Sequence, residues 1–142
     1  MPTITVPAKL DNLTTAKDYL KASIPPEFSA QTSNVLLVAE ELLVNVFSYA
    51  YPEGVEGEAA ISLDVVDFDG VDKLVFKVVD WGEPFNPFEE APEPDLTLDI
   101  DSRPIGGLGI FLIKQVSEKQ TYRYIDKTNS IWIVFGKTPK EA

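Results

Sequence analysis

The chain has 142 residues with 12 basic and 23 acidic side chains, a net charge of −11, and neither histidine nor cysteine. This length predicts one domain, residues 1–142, and the acidic balance argues against direct binding to nucleic acid or to an anionic membrane, because both would be repelled. The lack of histidine excludes His-based triads and the usual zinc sites, while the lack of cysteine and of an apolar leader predicts a cytoplasmic protein.

The first third of the chain predicts one strand and two helices. Ile4–Val6 alternates briefly as a short strand does. A helix follows, which begins between residues 11 and 14 and runs to about 23, and the prolines at 25 and 26 end it. A second helix begins at residues 29–32 and runs to 50. Its apolar residues occupy nearly the whole circumference, so we expect it to be buried on most sides.

The remainder predicts two hairpins and one further helix. Alternating stretches at 60–66 and 73–79 flank a turn at 67–70, and a second hairpin joins 121–125 to 130–135 through 126–129. Residues 83–104 hold five prolines, seven acids and one basic residue, which predicts a long surface loop outside the core. A helix then runs from about 107 to 118. The order predicts an α+β two-layer sandwich, with a mixed, mostly antiparallel sheet of about five strands covered on one face by three helices.

Polar residues interrupt the apolar second helix at helical spacing. Asn34, Glu41, Asn45 and Ser48 fall within one narrow wedge. An amide oxygen at Asn45 could join a Mg²⁺ shell, and a carboxylate one turn earlier could accept a hydroxyl proton. The alternative interpretation is an exposed stripe on a surface helix.

Two further segments contain residue types that suit a nucleotide. Asp80 ends an apolar strand just before Gly82, so its carboxylate could accept a hydrogen bond from an exocyclic amine. Gly106–Gly109 opens the third helix, where unobstructed backbone amides suit an anionic phosphate. Each segment also has a plain interpretation, as a favoured turn and as a flexible loop end.

In order and spacing, the three segments resemble the histidine-kinase-like (GHKL, or Bergerat-fold) ATPase superfamily, and most closely its anti-sigma-factor serine/threonine kinases. Ala39–Asn45 resembles the N box of that family. Val79–Pro87 resembles its first glycine box, including a Pro-Phe-x-Pro tail, and Gly106–Ile113 resembles the second. The resemblance covers nearly the whole chain.

The resemblance implies a role for each matching position near the base and the metal. Asn45 would bind the Mg²⁺ that bridges the ATP phosphates, and Glu41 would be the general base toward a protein hydroxyl. Asp80 would hold the adenine amino group, and Gly82 would line the base pocket.

At the phosphate end, the resemblance implies contacts from the backbone amides of Gly107, Leu108 and Gly109. Residues 88–105 would form a mobile lid, in which Arg103 is the one basic residue. The chain departs from the family in two respects: Tyr49 stands where a histidine is common, and the lid is strongly acidic.

The implied activity is phosphoryl transfer from ATP to a serine or threonine of an anti-anti-sigma (STAS-domain) partner. The implied further partner is a sigma factor or an analogous regulator, and the implied assembly is a homodimer. A second hypothesis is a binding module in which nucleotide sets the conformation without phosphotransfer. Glu41 favours the kinase, and the acidic lid favours the binding module.

Overall fold

A computed structural model describes residues 3–52, 56–90 and 107–140, without the side chains of residues 89, 90, 107 and 108. Within these ranges the sequence forms five strands and four α-helices. The strands are β1 (Ile4–Pro7), β2 (Glu58–Phe68), β3 (Val71–Asp80), β4 (Lys119–Ile125) and β5 (Thr128–Phe135). The helices are α1 (Leu13–Ser23), α2 (Thr32–Asn45), the single turn α3 (Pro87–Glu90) and α4 (Gly107–Val116).

The strands form one sheet in the order β1-β2-β3-β5-β4, and every described pair is antiparallel. The predicted α+β sandwich is therefore confirmed. Two hairpins, β2–β3 and β4–β5, supply four of the strands, and the β3–β5 pairing joins them. Among the described residues, no helix is long and apolar enough to cross a bilayer.

The core lies between α1, α2, α4 and one face of the sheet. Alternate residues of β2, β3 and β5 point to that face and are buried, as period-two patterning requires: Ala59, Ile61, Leu63, Leu74, Phe76, Val78, Ile131, Ile133 and Phe135. The helices contribute Ala16, Leu20, Val35, Val38, Ala39, Leu42, Leu43, Ile110 and Ile113. The next inward positions along β3 and β5 are Asp80 and Asn129, which bring polar groups to the end of the core.

Both hairpin turns are tighter than the four-residue turns that the sequence predicts. β2 continues through Asp67 and Phe68, so the turn consists of Asp69 and Gly70, at φ 52° and 87°. β5 begins at Thr128, which leaves Asp126 and Lys127 at φ 53° and 64°. Two consecutive residues in the left-handed region match the twist of the flanking strands, which favours the shorter connection.

The segment predicted as a loop from residue 83 onward contains one helical turn. The Asn86 side chain accepts a hydrogen bond from the Phe88 amide at 3.0 Å, as an N-cap does. Pro87 occupies the first helical position, where a backbone N–H has no partner within the helix, so the missing N–H of proline costs nothing. Pro87 is buried, so the expectation that this stretch stays outside the core is wrong at that residue. Proline content alone does not reveal a capped turn of this kind.

Candidate functional site

α2 continues into a single π-helical turn, Val46–Ala50, before the chain leaves the helix. The insertion of such a turn rotates the residues that follow it relative to a regular helix, and turns of this kind occur often at functional sites. Within α2, Glu41 and Asn45 are half-buried, at the border between the apolar face and solvent. Ser48, in the π turn, is exposed. Asn34 is also half-buried and donates a hydrogen bond to Gln31 Oε1 at 3.0 Å, so the predicted stripe is partly enclosed by protein as far as Asn45 and reaches solvent at Ser48.

The Glu41 carboxylate lies against the first turn of α4. A Cβ atom at Gly109 would be 2.1 Å from Oε2 of Glu41, so this position accepts only glycine unless the carboxylate moves. Burial is the main cause that raises the pKa of Glu41, and the neighbouring Glu40 carboxylate raises it further. The structure thus brings the first and third sequence segments together at one end of the site.

Asp80 is at the other end of the site, 5% exposed at the end of β3. Its Oδ1 accepts two hydrogen bonds of 2.9 Å, one from the Gly82 amide and one from the Asn129 side chain. Burial raises the pKa of Asp80, while these two hydrogen bonds oppose the rise because they favour the charged form. The carboxylate is fixed in direction and partly desolvated, which suits an acceptor that must discriminate one donor from another.

Asn129 is a site residue that the sequence interpretation did not identify. Its Nδ2 also donates to the carbonyl oxygens of Glu83 (2.9 Å) and Gly82 (3.3 Å). Its Oδ1 accepts from the Phe85 amide at 3.1 Å and from the Tyr122 hydroxyl. One buried amide therefore fixes Asp80 and the turn that follows it.

A signal for Asn129 was present in the sequence. Ile131, Ile133 and Phe135 alternate as the inward residues of the last strand, and extending that alternation by one step places Asn129 on the same face. A buried amide at that point needs partners, which should have pointed to a polar neighbour across the sheet.

A cavity of about 200 Å³ lies between α2 and the turn after β3, and we call it the site cavity. Its walls come from three places: the end of α2 with its π turn, the 80–87 segment and the start of β5. The lining residues are Leu42, Asn45, Val46, Tyr49, Ala50, Asp80, Glu83, Pro84, Phe85, Pro87, Asn129 and Ile131. Apolar walls with one fixed carboxylate suit a flat heteroaromatic ring that carries an amine.

A comparison with protein-family models matches residues 6–135 to the histidine kinase-like ATPase domain. The chain belongs to this family. It is accordingly an ATP-binding domain of the GHKL type. A search of the curated proteins finds no match.

In this histidine kinase-like domain, Gly82 lies beside the site cavity rather than in its wall. It lines a neighbouring depression of about 690 Å³, together with Tyr51, Trp81 and Tyr124. A Cβ atom at Gly82 would be 2.1 Å from the carbonyl oxygen of Ala50. The glycine therefore lets the turn after β3 pass the end of the π turn, and this close approach explains its presence.

The donor groups near α2 fit a hydrated metal ion held jointly with phosphates. Among the described residues, no group of three or more acidic, histidine or cysteine side chains could hold a metal alone. Mg²⁺ needs few protein ligands, because it retains waters and takes phosphate oxygens. Asn45 supplies one amide oxygen at the cavity wall, and the lack of a Cβ at Gly109 lets the Glu41 carboxylate lie directly against the start of α4.

The remaining predicted site residues lie at the limit of what is described. Gly107 and Leu108 form the start of α4, as predicted, and Gly109, which is buried, follows them. Residues 91–105 of the predicted lid, including Arg103, lie outside the described residues, as does Gly106. Tyr49, at the position where the family commonly has histidine, is 70% exposed and lines the site cavity.

Proposed function

We propose that the chain binds Mg-ATP in the site cavity and transfers the γ-phosphoryl group to a serine or threonine hydroxyl of an anti-anti-sigma (STAS-domain) protein. In this proposal it also binds a sigma factor or an analogous regulator. The observation that carries the proposal is the placement of Glu41, a half-buried carboxylate against Gly109 at the start of α4 and one helical turn from Asn45. Asp80 at the opposite end would fix the base, so that the phosphates extend toward α4.

Each residue would then have one task. Asp80 would accept the adenine amine, and Asn129 would hold Asp80 and the 82–85 turn in place. Asn45 would be a ligand of Mg²⁺, which neutralises charge on the β- and γ-phosphates when bound. The backbone amides of Gly107–Gly109 would donate to phosphate oxygens at the start of α4.

Glu41 would accept the proton of the attacking hydroxyl. The hydroxyl oxygen forms the new bond to the γ-phosphorus, the bond from that phosphorus to the β–γ bridging oxygen breaks, and ADP leaves. A raised pKa favours this role, because a carboxylate whose pKa lies nearer to the working pH is a stronger base.

The binding module without phosphotransfer is the second candidate. The described side chains that line the site cavity include neither lysine nor arginine, whereas Asp80 and Glu83 are both acidic. ATP carries about four negative charges, so bound nucleotide would rely heavily on Mg²⁺ for neutralisation. This arrangement favours slow or absent turnover.

Incubation with γ-labelled ATP, Mg²⁺ and a STAS-domain protein from a neighbouring gene separates the two candidates. Transfer of label to a serine or threonine supports the kinase. Saturable binding of Mg-ATP by calorimetry, with no label transferred to any such protein, supports the binding module. Absence of binding at millimolar Mg-ATP by folded protein would overturn both.

A further inference from the structure

The sheet has a second face, opposite the helices, that carries an unusual combination of side chains. We call it the open face and define it as the outward-pointing residues of the five strands. The register places Trp132 of β5 between Thr121 of β4 and Lys77 of β3 on this face. A depression of about 520 Å³ lies over it, with Val66 and Phe68 of β2 at one end and Ile125 of β4 also in its lining.

The apolar part of the open face is accessible to a partner. Val66 and Phe68 are each 40% exposed, and Ile125 is 46% exposed. Val75 and Val134 are buried although they point away from the helices, so their neighbours on the open face cover them. Exposed apolar side chains around a shallow depression are typical of an interaction surface.

The charge of the open face is opposite to that of the whole chain. The strand alternation brings Lys73, Lys77, Lys119 and Arg123 to this face with two acidic residues, Glu58 and Asp64. The lining of the depression itself holds two of these basic residues and no acidic one. Glu118 pairs with Lys73 at 2.9 Å and neutralises it, which leaves Lys77, Lys119 and Arg123. The Nζ atom of Lys77 lies 5.1 Å from the centroid of the Trp132 ring, so positive charge is held directly over the apolar surface.

We propose that the open face binds a short, extended acidic segment of a partner protein, with apolar side chains in the depression and carboxylates on Lys77, Lys119 and Arg123. Charge complementarity selects this occupant. A second copy placed face to face would oppose basic rows to basic rows. The surface lies on the other side of the sheet from the site cavity, so the proposal holds whether or not the chain transfers phosphate.

The size of the face also favours a short segment over a long polyanion. Five strands at about 4.8 Å span roughly 20 Å, which an extended chain of about six residues covers. A nucleic acid or an anionic membrane would continue past the rim onto a chain with 23 acidic residues and would be repelled there. At physiological salt, repulsion between charges is largely screened beyond about 8 Å, so a short segment that stays on the open face avoids repulsion by the acidic residues around it.

The test uses the full chain and a fluorescein-labelled peptide of about seven residues, Glu-Thr-Val-Thr-Glu-Thr-Val, whose length matches the face and whose glutamates and valines lie on the same side when it is extended. We expect saturable binding by fluorescence anisotropy and no binding of the peptide with lysine in place of glutamate. The double variant Lys119→Glu/Arg123→Glu should lose at least about tenfold in affinity, since each charge now repels the peptide. Lys21→Glu, an exposed change on α1, is the matched control and should bind as the unaltered chain does.

Circular dichroism and thermal unfolding of each variant verify that the sheet is intact. A further variant, Trp132→Thr, separates apolar from charge contacts and should weaken binding while keeping its salt dependence. No binding at millimolar peptide would overturn the proposal. It would also be overturned by equal binding to duplex DNA or phosphatidylserine vesicles, or by sedimentation showing a dimer that Lys119→Glu/Arg123→Glu dissociates.

Discussion

The two ends of the site are held in different ways. At the sheet end, Asp80 and Asn129 are joined directly at 2.9 Å, and Asn129 makes four further hydrogen bonds to Gly82, Glu83, Phe85 and Tyr122. At the helix end, Glu41 is held by close approach to Gly109 between two packed helices. The proposed contact with the base is therefore built on a rigid, cross-linked sheet, while the proposed chemistry depends on a carboxylate at the end of a flexible side chain.

The largest expected effect is on turnover, at the helix end. Glu41→Gln should reduce phosphotransfer by about 10²–10⁴-fold with Mg-ATP affinity nearly unchanged, because a general base acts in the transition state. Single-turnover kinetics with labelled ATP and calorimetry measure the two quantities. Glu40→Gln is the matched control: this neighbour pairs with Lys17 of α1 at 3.5 Å, and its charge makes only the smaller contribution to the raised pKa of Glu41, so turnover should change far less. Equal turnover by both variants would remove the base assigned here.

Two glycines provide the next test, since each would clash at 2.1 Å if given a Cβ. The added methyl group of Gly82→Ala would clash with the backbone carbonyl of Ala50, which cannot move without moving the chain. We therefore expect a loss of about 2–3 kcal/mol in unfolding free energy. Gly109→Ala meets only the end of the Glu41 side chain, and alanine favours a helix by about 1 kcal/mol over glycine.

Gly109→Ala should therefore change stability by less than about 1 kcal/mol while lowering turnover, because the carboxylate must leave its place. Urea denaturation gives the stability of both variants, and a phosphotransfer assay gives the turnover. A large loss of stability in Gly109→Ala, with Gly82→Ala nearly neutral, would reverse the contrast between the two ends.

Asn129→Ala tests the sheet end itself. It removes the amide that holds Asp80 and the 82–85 turn, and it leaves buried groups without partners, so nucleotide affinity and unfolding free energy should each fall by about 2 kcal/mol. Tyr122→Phe removes one hydroxyl from the same network and should cost about 1 kcal/mol or less. If Asn129→Ala binds Mg-ATP as tightly as the unaltered chain, Asn129 has no positioning role.

The smallest expected effect is on pH dependence. The pKa of Asp80 is raised above its ordinary value of 3.8, so the folded state binds this proton more tightly than the unfolded state. Stability from this group is fully present below pH 3.8 and is lost as the pH rises through the folded pKa. The stability of the unaltered chain relative to Asp80→Asn should therefore decline with rising pH in that window.

Thermal or urea unfolding of both chains, measured at a series of pH values upward from 3.8, gives the difference in their unfolding free energy at each pH. Over the same window Mg-ATP affinity should increase, because the ionised carboxylate is the better acceptor for the adenine amine. A difference between the two chains that does not vary with pH would mean that Asp80 titrates alike in folded and unfolded states.

Much of the fold follows from local patterning. The hairpins, the helix cover and the inward alternation of Ile61 or Phe76 depend on residue periods that neighbouring positions determine, and they were predictable. The two-residue turns were harder to predict from the sequence, because Lys127 adopts a positive φ that its side chain does not favour. There, strand twist and register outweigh the preference of one residue.

The site was predictable only where chemistry and sequence order coincide. Asp80 and Glu41 stand out because charged residues interrupt apolar runs. The Asp80–Asn129 bond joins residues 49 apart, and the contact of Glu41 with Gly109 requires two helices to meet. Such contacts depend on tertiary packing, which short-range patterns do not encode.

The β3–β5 pairing described above also has a consequence for folding kinetics. Each hairpin closes through a two-residue turn, whereas β3 and β5 meet only after the chain between Asp80 and Asn129 has been enclosed. The entropy of closing so long a loop makes this the late step, and the Asp80–Asn129 end of the cavity forms with it. Bound nucleotide would then slow unfolding and leave the folding rate almost unchanged, because it stabilises contacts that the transition state lacks.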